Sequence, residues 1–209
     1  MKACRISSFF LGENLLPTNI VVYLCLFGVI AAGLATLAFR QQKGKIIFSW
    51  RKEKQKILSW ALVCLLFLAI VNLLLKHLVV LISDHPAGKP LNQQALETLV
   101  KPSFWNWIKV GFAMVIWAPL LEELIFRWLL FETFGINYFS VFLSALTFGL
   151  SHYQGETSVA GILTFLIYPI MGFCFSYIYK KKKNLAWPIT FHFLNNLVAF
   201  IFMLISSLK

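Results

Sequence analysis

Residues 105–131 read WNWIKVGFAMVIWAPLLEELIFRWLLF. A run of this length, wound as a helix at 1.5 Å per residue, covers the roughly 30 Å of a bilayer's hydrocarbon core. It also carries Glu122, Glu123 and Arg127 well inside its ends. Each such charge costs about 2.5–3.5 kcal/mol at the centre of a span. An apolar segment that keeps three of them has a use for them.

The rest of the chain places that segment in a membrane. Of 209 residues, 59% are hydrophobic, 13% are charged and 21 are Phe, and the mean hydropathy is +0.77. Soluble domains run nearer 45–50% apolar and about 25% charged. Disorder, a collagen-like chain and a disulfide scaffold are excluded on the same figures. Six apolar runs are expected as spans: 19–39, 58–82, 105–131, 138–154, 158–179 and 185–207. They lack the strict alternation of barrel strands, so each is expected to be a helix. The fold class is therefore an all-α polytopic membrane protein with about six transmembrane helices, the last four forming a bundle. Residues 1–104 read as an N-terminal segment of two spans, and 105–209 as a motif-bearing membrane bundle.

Charge sets the orientation. The +11 net charge is concentrated in Arg40, Lys43, Lys45, Arg51, Lys52, Lys54 and Lys56, with only Glu53 opposed, and in Lys180–Lys183. Such blocks between apolar runs read as topology signals and not as a nucleic-acid face. Both fall in odd-numbered loops of a six-span chain. The positive-inside rule then puts them in the cytoplasm and both termini outside. The loop 83–104 contains a polar stretch, 91–100, suited to the interface. The short apolar patch 7–11 reads as part of an uncleaved start. Cys4, Cys25, Cys64 and Cys174 form no CxxC and read as packing residues. Lys76, His77 and Lys109 sit near span ends and can snorkel to water.

Three groups remain. Glu123 and Arg127 are spaced i,i+4 with the acid first, the favoured order for a helical ion pair, and Glu122 is left over, about 100° round the helix. Phe148 and His152 stand one turn apart on a second span. His192 and Asn196 stack on one face of a third, with Asn195 turned away and Pro188 expected to kink that helix. A buried packing network accounts for such residues too. If they converge in a water-accessible cavity, they suit hydrolysis of an acyl bond. Glu122 takes a proton from a water shared with His152, and His192 and Asn196 donate to the oxyanion. Counted from the expected span edges, their depths scatter by on the order of 10 Å.

The motifs EExxxR (Glu122, Glu123, Arg127), FxxxH (Phe148, His152) and HxxxN (His192, Asn196), in that order, resemble the family of CAAX-processing and bacteriocin-processing membrane proteases, also called CPBP or Abi. The resemblance covers 117–200. It implies an intramembrane glutamic endopeptidase with Glu122, His152, His192 and Asn196 catalytic and Glu123, Arg127 and Phe148 supporting. Trp128 departs from the glycine that commonly follows the motif arginine, a change in close packing more than in chemistry.

The resemblance favours water activated without metal or other cofactor. The alternative is a zinc site on Glu122, His152 and His192, with an open fourth position, although no HExxH is present. A non-catalytic bacteriocin immunity or scaffold protein, or a small proton-relaying transporter, forms a different class. The expected partners are the lipid bilayer and a membrane-embedded or amphipathic peptide substrate, with no nucleic acid. The expected location is the cell membrane, in a bacterial host.

Overall fold

The computed structural model describes residues 18–83, 94 and 104–207, with side chains described from Gly33 onward except at 34, 35 and 38. The patch 7–11, Cys4, the side chain of Cys25, and the polar stretch 91–100 apart from Gln94 therefore lie outside the described residues. The chain divides into two units, Met1–Leu37 and Ala38–Lys209. All regular structure among the described residues is helical.

Helix α1 runs Thr18–Ser83, 66 residues, with one non-helical residue, Glu53, at φ −124° and ψ 15°. The basic stretch expected as a loop at 40–56 is thus helical apart from that break. Lys, Arg, Gln and Glu are strong helix formers and no proline interrupts them, so the polar segment continues the helix through it. The next helix, α2, spans 104–134 and changes register twice. It is α-helical over Phe104–Gly111, π-helical over Phe112–Trp117, α-helical over Ala118–Glu123, π-helical over Leu124–Leu129 and α-helical again over Leu130–Phe134. Gly135 at φ +81° ends it, and the Asn137 side chain caps α3 by accepting from Ser140 N at 2.8 Å.

Helix α3 is Tyr138–Ser151, only 14 residues, so it rises about 21 Å, short of a full crossing. The expected span 138–154 is corrected accordingly: the helix ends at Ser151, and His152, expected within the span, is its C-cap. Helices α4 (Val159–Phe165) and α5 (Ile167–Lys182) are parted only at Leu166. Lys183, at φ 50°, closes α5. Helix α6 is Ala186–Ser207. Pro188 lies in its first turn, where a missing N–H leaves no bond unmade, so it starts the helix and does not kink it.

Among the described residues, three stretches are long and apolar enough to cross a membrane: Phe39–Ile82, Val159–Lys182 and Ala186–Ser207, with Tyr138–Ser151 as a shorter apolar helix. The most apolar windows of the three are only 17%, 28% and 22% buried inside the protein. Surfaces this apolar and this uncovered belong against lipid, and the protein is an all-helical membrane protein.

The core joins α1 to the last helices. Ile57, Ala61 and Leu68 pack with Phe148, Met171, Phe175, Ala186, Trp187 and Phe191. Cys64 and Cys174, unremarkable in sequence, are both free and both pack against that core. Helices α3 and α5 cross very closely. A Cβ at Gly149 would stand 2.9 Å from Pro169, and one at Gly172 would stand 3.1 Å from the Ala145 backbone. Small residues allow this approach and hydroxyls hold it: Ser176 Oγ donates to Ser144 Oγ at 2.7 Å, and Ser144 Oγ donates to the Phe126 carbonyl at 2.6 Å.

Candidate active site

The two π-helical turns flank Glu122 and Glu123. A π turn leaves backbone carbonyls without their usual partners, and such turns concentrate at functional sites. In the first, Ala118 N–H bonds the Ala113 carbonyl, five residues back. The same register would pair Met114 O with residue 119, which is proline and has no N–H. The carbonyl is taken instead by Asn196 of α6, whose Nδ2 donates to it at 2.9 Å. In the second π turn, Phe126 O accepts Ser144 in the same way. Side chains of α3 and α6 thus lock onto α2 where its own ladder is broken.

Glu123 and Arg127 are both fully buried. Arg127 Nε lies 3.1 Å from Glu123 Oε2, and Arg127 Nη2 donates to the Gly172 carbonyl at 3.3 Å. The guanidinium sits over the rings of Phe148 and Phe175, 4.6 and 5.4 Å from their centroids. Two aromatic faces thereby supply cation–π attraction where the guanidinium lacks further acceptors. The other oxygen of Glu123, Oε1, lies 2.8 Å from His192 Nδ1. Glu123 therefore orients an imidazole as well as pairing the arginine, a role that spacing along one helix does not reveal.

Glu122 points elsewhere. Its Oε2 lies 4.0 Å from His152 Nε2 and 3.7 Å from His192 Nε2, too far for direct hydrogen bonds. The atom is buried and has no hydrogen-bond partner in the protein. Two polar atoms about 4 Å apart can each reach one water molecule at about 2.8 Å. The side chains of Glu122 and His152 keep 24% and 16% of their surface exposed, against 2% for His192, so the protein leaves the group uncovered on the side of Glu122 and His152.

The ring tautomers follow from the partners. His152 Nδ1 lies 2.9 Å from the Phe148 carbonyl, which only accepts, so Nδ1 carries the proton. His192 Nδ1 faces the Glu123 carboxylate and carries one for the same reason. Both Nε2 atoms are turned towards Glu122. The His152 ring is stacked on Tyr168, with centroids 4.7 Å apart and planes at 19°, and lies 4.7 Å from Phe148. Tyr168 and Phe175 are contributors that the motifs do not contain. Their only sequence signal is aromatic placement on α5.

Glu122, His152 and His192 are therefore brought together, Glu123 and Arg127 stand behind them, and Phe148 touches both imidazoles and the guanidinium. Asn196 is held on Met114 O through one N–H, and its second remains. Asn195 Nδ2 reaches Asn196 Oδ1 at 3.4 Å and does not bond another helix there. Truncating Asn196 to alanine orphans the Met114 carbonyl, with an expected loss of about 1–3 kcal/mol of stability. Asn195→Ala should cost well under that, as read by thermal unfolding of both variants in detergent.

For the zinc alternative, no group of three or more His, Cys, Asp or Glu side chains arranged to hold a metal occurs among the described residues. Ligands of a tetrahedral zinc at 2.0–2.1 Å stand roughly 3.3 Å apart, somewhat closer than these atoms.

Fold and site together define a helical membrane protein with a buried carboxylate–imidazole centre. Residues 104–198, a little under half of the chain, match the model of the Rce1-like family, type II CAAX prenyl endopeptidase. Among curated proteins, the chain is similar to UPF0177 protein YaiF of Lactococcus lactis subsp. lactis strain IL1403, at 26% identity over 88% of this chain and 77% of the relative. UPF0177 protein YajF of the same strain is 27% identical over 64% of this chain and 63% of its own length. "Putative membrane peptidase YdiL" of Bacillus subtilis strain 168 is 32% identical over 42% of this chain and 34% of that protein. The matched region thus spans under two thirds of two of these relatives. No solved structure matches the chain significantly.

Proposed function

We propose that the protein is an intramembrane endopeptidase that hydrolyses peptide bonds of membrane-anchored or amphipathic peptides with a water activated by Glu122. The observation that carries this reading is the position of Glu122 Oε2, 4.0 and 3.7 Å from two imidazole Nε2 atoms, beside side chains that stay partly exposed. The Rce1-like match over 104–198 supports the reaction class.

In this mechanism Glu122 and His152 Nε2 hold one water, and Glu122 removes its proton as the oxygen attacks the scissile carbonyl carbon. The oxyanion then receives hydrogen bonds from Asn196 Nδ2 and His192 Nε2. In this scheme His192 enters the cycle as the imidazolium, with Nδ1–H on Glu123 and Nε2–H free for the oxyanion, and it keeps both protons throughout. The C–N bond breaks, and Glu122 passes its proton to the leaving amine. A single well-placed oxyanion donor is worth about 2.7–4 kcal/mol. Asn196→Ala should therefore lower kcat on the order of 100- to 1000-fold, beyond what its stability loss explains.

A second reading uses zinc. The observation in its favour is that both imidazoles spend Nδ1 on protein acceptors and turn Nε2 towards a carboxylate, the pattern of metal-bound histidines. Glu122, His152 and His192 would hold the ion, which would polarise a carbonyl or a bound water. Chelation separates the two. Cleavage of membrane peptides that survives dialysis against 1,10-phenanthroline supports the metal-free reading. Cleavage lost there and restored by added Zn²⁺ supports the second.

The proposed location is the cell membrane with the basic stretches cytoplasmic and both termini outside. Lys52 and Lys181–Lys182 line one cleft, which supports a common face for the two basic blocks.

A further inference from the structure

The cleft between the two basic blocks lies apart from the residues of the candidate active site. It has a volume of about 310 Å³ and is lined by Phe48, Ser49, Lys52, Glu53, Lys181, Lys182, Asn184 and Trp187. Its size is at the lower end of the range for small-ligand sites. Lys52 comes from α1 immediately before the break at Glu53, and Lys181 and Lys182 from the last turn of α5. The connection to α6 is tied to α1 by Asn184 Nδ2, which donates to the Lys45 carbonyl at 3.2 Å.

Three ammonium groups here face one carboxylate. None of the three lysines is in an ion pair among the described residues. Their charges are held instead against rings: Lys182 Nζ over Trp187 at 4.2 Å, Lys181 Nζ over Tyr177 at 5.5 Å and Lys52 Nζ over Phe48 at 5.8 Å. Gathering like charges costs free energy unless an anion joins them. The anion's source follows from depth. Lys182 is the last residue of one membrane-crossing stretch and Ala186 the first of the next, so the cleft stands at headgroup level. Phe48, 66% exposed on its wall, offers an apolar surface for the chains below. Basic clefts between helices at that level fit anionic lipid headgroups.

We propose that this cleft binds the phosphodiester headgroup of an anionic glycerophospholipid, with Lys52, Lys181 and Lys182 around the phosphate. The test uses the purified full chain reconstituted in phosphatidylcholine, with and without phosphatidylglycerol, and counts lipids retained by native mass spectrometry. Phosphatidylglycerol is expected to be retained selectively. Affinity should fall on the order of 100-fold in K52Q/K181Q/K182Q, from about 1 kcal/mol per lysine. The charge-matched K43Q/K54Q/K56Q, whose lysines do not line the cleft, should stay within a few fold. Equal retention of both lipids by the unmodified chain overturns the proposal, and that measurement needs no variant to fold. An equal loss in the two triple variants overturns it in favour of a diffuse basic surface. Competition by millimolar inorganic phosphate in the wild type, absent from the K52Q/K181Q/K182Q chain, overturns the lipid assignment in favour of a free-anion site.

Discussion

Truncating Arg127 to alanine should lower the stability of the protein by about 3–5 kcal/mol, the usual cost of leaving one partner of a buried ion pair without the other. Arg127 and Glu123 are both fully buried, with Nε and Oε2 3.1 Å apart. The guanidinium also bonds the Gly172 carbonyl and covers Phe148 and Phe175. Its loss strips α5 and two rings of a contact and strands a carboxylate in a dry interior. For a chain of this size that corresponds to a fall in Tm of roughly 6–20 °C. Arg127→Lys should recover only part of it, since an ammonium cannot span the carboxylate, the carbonyl and two ring faces together. Thermal unfolding in detergent, followed by circular dichroism, reads both. A change below about 1 kcal/mol for the alanine variant would mean the pair is not buried as described.

Replacing Glu122 by glutamine should do the reverse, removing activity while sparing the fold. Its Oε2 has no hydrogen-bond partner in the protein, so no structural bond is lost, and the amide matches the carboxylate in size. Without a general base, cleavage should drop by at least about 100- to 10,000-fold. An immunity or scaffold protein would keep its protective effect in this variant, because nothing in such a role asks Glu122 to move a proton. Glu123→Gln is the informative contrast. That residue orients His192 through Nδ1 and neutralises Arg127, so its loss should reduce both stability and activity.

The helical membrane class, and the motif residues themselves, are legible in sequence because they depend on composition and local spacing. Apolar length identifies the later spans, and the i,i+4 rule identifies the Glu123–Arg127 pair. What sequence does not carry is set by contacts between helices. The basic stretch 40–56 reads as a loop on charge alone, yet good helix formers keep it helical up to Glu53. His152 reads as lying inside a span drawn to residue 154, but α3 stops at Ser151. The two π turns have no pattern to announce them, although Pro119 explains one of their consequences, the Met114 carbonyl that holds Asn196. The two tasks of Glu123, and the stacking of Tyr168 on His152, exist only once α2, α3, α5 and α6 are packed.

The most direct measurement is a comparison of peptide termini. Membranes from cells producing the wild-type chain or the Glu122→Gln variant, at equal levels of inserted protein, are extracted, and new N- and C-termini are mapped by mass spectrometry. The account predicts a set of termini produced by the wild type and absent with the variant. Identical sets from the two, with cleavage persisting when Glu122 is glutamine, would contradict it.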